Sequence, residues 1–231
     1  MSAKRLMILL PVAALMLFGA GCIFSPEPDP IEKPPVVTQF PDTADKLMDN
    51  FKVAYSNMQY EKYQEVLHAN FRFLFKPEDA VGLPDDVLIR DEELAIASNM
   101  FSGLPLPQPD GPPVPGITLI TIFVLNRKEA WAPVEASAPN FYEPEDAEHG
   151  RYASLQATFE VEMRIERDVG GPLQVAGDTV FFVAARDSLV GGVLRPYYQL
   201  RGQRDLTRST GGKLRPAEDT SWGSVKNMYG S

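Results

Sequence analysis

The chain is poor in the residues that build most recognisable reactive centres. It has one cysteine, Cys22, and two histidines, His68 and His149, in 231 residues. A single cysteine excludes an internal disulfide, and two histidines leave little for a multi-histidine zinc site. No glycine-rich phosphate loop is present; Gly191-Gly192 and Gly211-Gly212 read as turn signals. No Ser–His–Asp or Cys–His arrangement follows from the spacing. Basic residues are also in deficit. There are 22 Lys and Arg against 31 Asp and Glu. Such a balance excludes nucleic-acid binding through the bulk field and gives no attraction to anionic headgroups.

What is present begins at the N-terminus. Lys4 and Arg5 precede an uncharged apolar stretch from Leu6 to Phe18, and the small residues Gly19, Ala20 and Gly21 lead to Cys22. A positive head, an apolar body and a small-residue exit are the signature of an export signal. Two other outcomes fit the same residues: an uncut span, since Leu6 to Phe24 carries no charge, and ordinary cleavage to a free secreted protein. All three place the remainder outside the cytoplasm. Small residues before a cysteine resemble the lipobox of bacterial lipoproteins, although Gly19 stands where that family usually has leucine. The resemblance implies cleavage before Cys22, a lipid on its sulfur and a stable multi-chain membrane anchor. Ile23, in place of the aspartate that retains many lipoproteins in the inner membrane, slightly favours the outer membrane by the same resemblance. Without residues 1–21, 20 basic against 31 acidic residues leave a charge of −11.

Four segments are expected. Residues 1–21 are the signal and 22–41 a lipidated cysteine with a proline-rich tether. Residues 42–208 form an α+β domain, and 209–231 a polar tail with a short C-terminal helix. The tether holds Pro26, Pro28, Pro30, Pro34, Pro35 and Pro41, which favours extended, polyproline-like chain at ~3 Å per residue. Asp42 is the expected cap of a first helix bearing Leu47, Met48, Phe51, Ala54, Tyr55 and Met58 at helical spacing. A second helix is expected from Tyr60 to His68, an aromatic strand at Phe71–Phe75, and a third helix over 91–101 stopped by Gly103. The proline-rich stretch 104–116 reads as a loop.

Strands then dominate, at 117–125, 155–166, 179–185 and 197–205, with an acidic loop at 136–150. From Leu155 to Glu166 apolar and polar residues alternate strictly, predicting one buried and one wet face. Trp222, Val225, Met228 and Tyr229 predict a terminal helix folding back on the domain.

Helices first and long antiparallel strands after them indicate helices packed on one face of a sheet. This order, with "YEKYQEVLHANFRFLF", resembles the opening of the NTF2-like (SnoaL/ketosteroid-isomerase-like) superfamily. The resemblance implies a cone of N-terminal helices on a curved, mainly antiparallel sheet. It also implies a pocket between the two layers, and in some members a dimer through the sheet.

Candidate site residues are few. His68, with Asn70 beside it and Tyr55 as a partner, could serve proton transfer in such a pocket; a surface histidine ending a helix is the plainer reading. Glu160 and Glu162 share a strand face and could act as a carboxylate pair if buried, but Arg164 and Glu166 on that face favour a solvated surface. His149, among Glu143, Glu145, Asp146 and Glu148, matches no metal-ligand spacing. No cofactor or metal is therefore expected. The composite expectation is a non-enzymatic envelope lipoprotein that binds a protein partner or a small apolar ligand. An isomerase or hydratase using His68, and a structural envelope protein, are the alternatives.

Overall fold

A computed structural model describes residues 38–80, 86–109, 111–134, 153–206 and 219–230. All belong to one compact unit, Val36–Ser231. Helices α1 (Ala44–Ser56) and α2 (Tyr60–Val66) lead into β1 (Leu67–Leu74), β2 (Val87–Ile89) and α3 (Arg90–Phe101). Strands β3 (Ile117–Arg127), β4 (Ala132–Pro133), β5 (Ala153–Arg167), β6 (Leu173–Val190) and β7 (Val193–Asp205) follow. The described chain ends in β8 (Asp219–Thr220) and α4 (Trp222–Tyr229).

The architecture is α+β, with helices on one face of a curved, mixed sheet. The sheet runs β2-β1-β7-β6-β5-β3, with β4 on β5 and β8 on β6. The β1–β7 and β6–β8 pairings are parallel and the others antiparallel. Curvature has local causes. Register shifts occur in the β3–β5 pairing at Ile117/Leu119 and Ile122/Val124. In the β6–β7 pairing, Phe182 faces Gly202 while Val183 faces Leu200, leaving Arg201 as an extra residue. Each such bulge bends its strand and tightens the twist.

The alternation in β5 is realised. Ala157, Phe159, Val161, Met163 and Ile165 are buried, while Glu160 and Arg164 are exposed and Glu162 and Glu166 half-exposed. Against this face, α1 sets Leu47, Met48, Phe51, Ala54 and Tyr55, all buried. Phe51 meets Phe181 edge-on at 5.4 Å, and Phe159 meets Phe181 at 5.3 Å. Such edge contacts add to simple burial.

Several local expectations change, among them the strand expected at 179–185, which runs from Leu173 to Val190 as β6. Thr43, not Asp42, caps α1, accepting the Lys46 amide at 3.2 Å. Asp42 lies one residue outside the helix and pairs with Lys46 at 2.6 Å and with Arg195. The second helix stops at Val66, because Leu67 already pairs with Leu200 of β7. His68 is therefore a strand residue rather than a helix end. The stretch 104–116 is pinned, since Leu106 and Val114 exchange backbone hydrogen bonds of 2.9 and 2.8 Å. Gly103 closes α3 at φ +71°, a conformation that costs a residue with a side chain.

Candidate functional site

The core between α2, α3, α4 and β1 contains charge. Lys226 of α4 and Glu93 of α3 have no exposed surface, and Lys226 Nζ stands 2.5 Å from Glu93 Oε2. Tyr63 of α2 donates its hydroxyl to Glu93 Oε1 at 2.6 Å. The ammonium also lies 3.9 Å from the Phe73 ring centroid and 5.4 Å from that of Trp222, a cation–π arrangement. Both carboxylate oxygens are thus engaged, as a buried ion requires.

Burial sets the proton affinities here. Desolvation pulls the Lys226 pKa below the ordinary lysine value, and the Glu93 carboxylate opposes it. Desolvation, aided by the negative charge of Glu93, pushes Tyr55 and Tyr63 well above the ordinary tyrosine range. Neither phenol is ionised near neutral pH, so both hydroxyls keep their protons.

Polar contacts hold α4 at both ends. Ser221 caps it, accepting the Ser224 amide at 3.0 Å and donating its own hydroxyl to Asp79 Oδ2 at 2.7 Å. Ser224 donates to Asp79 Oδ1 at 2.8 Å, and Lys76 Nζ lies 3.3 Å from Asp79 Oδ2. A Cβ at Gly223 would stand 2.9 Å from Asp79 Oδ2, so the close approach requires glycine. At the far end Asn99 donates to the Tyr229 carbonyl at 2.9 Å, and the Tyr229 hydroxyl donates to the Pro115 carbonyl at 2.6 Å.

Between α3, β2 and α4 lies a cavity of about 270 Å³. Phe75, Val87, Leu88 and Ile96 supply apolar walls and Asn99 and Asn227 polar ones, while Lys226 borders the cavity with no exposed surface of its own. Glu92, Ala95 and Gly230 reach it from exposed positions. Its α3 wall is the helical stripe 92, 95, 96, 99. Between α1 and the sheet, the space bounded by Phe51, Phe181, Gln203 and Trp222 is about 10 Å³, room for about one water.

The sequence-derived candidates fall elsewhere. Tyr55 is fully buried among Phe51, Tyr63, Phe101 and Trp222, with its hydroxyl 3.7 Å from the Met100 sulfur. His68 is buried on β1, and its Nδ1 accepts the Asn70 amide at 3.1 Å. Neither residue lines the two cavities above. Glu160 and Glu162 lie on the outer face of β5, opposite Asn126 and Val124. His149 and its acidic neighbours lie outside the described residues, as do Cys22 and the tether up to residue 37. Among the described residues, no three His, Cys, Asp or Glu side chains gather as metal ligands.

Glu93 and Lys226 were not apparent from the apolar pattern alone. The signal was there: positions 222, 225, 226 and 229 share one buried helical face, and so do 93, 97 and 100. Two helices, each with one opposite charge on an otherwise apolar stripe, are the trace of a buried pair.

No protein-family model and no curated protein matches the chain. Solved structures do. A conserved protein from Planctomyces limnophilus aligns at a TM-score of 0.44 and 11% identity, over 70% of this chain and 90% of its own. A putative aromatic ring hydroxylase from Novosphingobium aromaticivorans aligns at 0.38 and 14%, over 69% and 82%. ActVI-ORFA from Streptomyces coelicolor aligns at 0.36 and 12%, over 68% and 89%. No activity passes from these proteins to this chain at such levels.

Proposed function

We propose that this chain is a lipid-anchored, non-enzymatic binding domain of the cell envelope, with a small, largely apolar ligand seated between α3 and α4. The observation that carries the reading is the cavity of about 270 Å³, where the apolar side chains of Phe75, Val87, Leu88 and Ile96 stand beside the polar Glu92, Asn99 and Asn227. That is the usual composition of a ligand site. A cavity of about 150 Å³ takes benzene, so this one has room for a bicyclic molecule. The non-enzymatic part of this reading is supported by His68 and Tyr55, neither of which lines either of the two cavities described above. The anchor is supported by the export signal and Cys22.

Two experiments test the two halves. Titration with 2-naphthol, followed by calorimetry, should show one site, and Ala95→Trp at the cavity mouth should weaken it at least tenfold. No binding at millimolar probe sinks the cavity reading. Growth with labelled palmitate should label the wild-type chain and not Cys22→Ala. Label retained by that variant sinks the anchor.

A further inference from the structure

The β6–β7 hairpin ends in Leu189-Val190-Gly191-Gly192-Val193-Leu194. Gly191 and Gly192 have φ of +58° and +81°, the two positive values that a tight primed turn requires. Leu189 pairs with Leu194 and Val190 with Val193. Successive pairs point to opposite faces, so the tip is apolar on both sides. Leu189 is 72%, Val193 61% and Leu194 62% exposed. A strand end packed on a protein partner needs one apolar face. Two apolar faces suit a medium that surrounds the tip.

Behind the tip the chemistry changes. Ser188 pairs with Arg195, and Arg186 with Tyr197. The Arg186 guanidinium lies 5.2 Å from the Tyr197 ring centroid. That rung stands roughly 13 Å from the turn at about 3.4 Å per residue. An apolar end a few residues deep, followed by arginine and tyrosine, is the order expected across a bilayer interface.

The tether joins the domain at this same hairpin. The Phe40 ring lies 5.6 Å from Tyr197 and 5.3 Å from the Arg195 guanidinium. The Pro41 carbonyl accepts the Tyr198 amide at 2.8 Å, and Asp42 pairs with Arg195. The described chain therefore begins beside the hairpin base.

We propose that the tip Leu189–Leu194 inserts into the apolar layer of the membrane that holds Cys22, as a second contact beside the lipid. The inference rests on the lipoprotein reading, since an unanchored tip of this size holds a bilayer weakly. Insertion fixes the orientation of the domain, with the hairpin tip toward the membrane. The contact is apolar and needs no basic patch, which agrees with the acidic composition.

The test uses the full lipidated chain in phosphatidylcholine vesicles. Cys22 is the only cysteine, and its sulfur is blocked when lipidated, so Leu194→Cys gives one free thiol for an environment-sensitive fluorophore. The label should shift to shorter wavelength and be quenched by nitroxide-bearing lipid. A label at Glu160→Cys, on the outer face of β5, should do neither. Leu189→Asp added to Leu194→Cys should abolish lipid quenching while the melting temperature holds. A chain that floats with vesicles while the 194 label stays open to aqueous iodide overturns the proposal and leaves the anchor standing. A chain that fails to float, with a bare Cys22 by mass, overturns both. Shielding of the 194 label without vesicles, rising with protein concentration, makes the tip a self-association face and also overturns insertion.

Discussion

Lys226 Nζ and Glu93 Oε2 are 2.5 Å apart in a place where neither side chain has exposed surface. The pair joins α4 to α3, 133 residues away in sequence. Removing one partner leaves the other charge buried and unpaired, which costs about 3–5 kcal/mol. Lys226→Met and Glu93→Gln should each lower stability by about that much in urea unfolding. The double variant should lose clearly less than the sum of the two, because the uncompensated charge is gone. Additive losses would show that the ions do not depend on each other.

Alkaline pH acts on this core in two opposing directions. Lys226 is held below the ordinary 10.5, so between its folded value and 10.5 the unfolded chain binds more protons and stability rises with pH. Tyr55 and Tyr63 are held above 10.0, and burial pushes Tyr229 to about 12. From pH 10 upward the native state binds more protons at these phenols, so stability falls. Three groups outweigh one above pH 10, each removing up to ~1.4 kcal/mol per pH unit. The urea midpoint should drop between pH 10 and 12, and Tyr229→Phe should make the drop shallower. A profile flat to pH 12 contradicts this account.

The terminal helix is seated by a polar clip as well as by packing. Ser221→Ala removes both the helix cap and a bond to Asp79, a loss of about 1–2 kcal/mol. Gly223→Ala should cost more, because the added carbon meets Asp79 at 2.9 Å and Phe75 at 3.1 Å. Comparison of thermal melts decides the order. A Gly223→Ala variant as stable as wild type would mean that Asp79 moves aside freely.

Much of the fold was legible because period carries burial. The alternation from Leu155 to Glu166 marked β5, and the helical stripe from Leu47 to Tyr55 marked α1, although Met58, expected on the same stripe, falls beyond its end with φ +54°. Element ends were less legible, since they depend on partners far along the chain. Val66 ends α2 because Leu67 pairs with Leu200, and nothing near Val66 announces that. Thr43 rather than Asp42 caps α1, while Asp42 pairs with Arg195, 153 residues away. The buried pair was hidden for a related reason. Lys226 in a polar-looking tail reads as solvated until Glu93 is known to face it.

Tyr55 and Tyr63 show how one substitution separates packing from polarity. Both rings are fully buried, 5.0 Å apart and nearly perpendicular. The Tyr55 hydroxyl faces the Met100 sulfur at 3.7 Å, a weak acceptor. The Tyr63 hydroxyl serves the buried Glu93 carboxylate at 2.6 Å, a bond to a charged group worth about 1.5–3 kcal/mol. Tyr55→Phe should therefore change stability by less than ~1 kcal/mol, and Tyr63→Phe should lower it by about 1.5–3 kcal/mol. Removing the Tyr63 hydroxyl also strips a donor from Glu93, so its effect should shrink in the Glu93→Gln background. Chemical denaturation of the wild type, the three single variants and the Tyr63→Phe/Glu93→Gln double variant measures all of this. Equal losses at the two tyrosines, or no coupling to Glu93, would mean that the carboxylate draws its stabilisation from Lys226 alone.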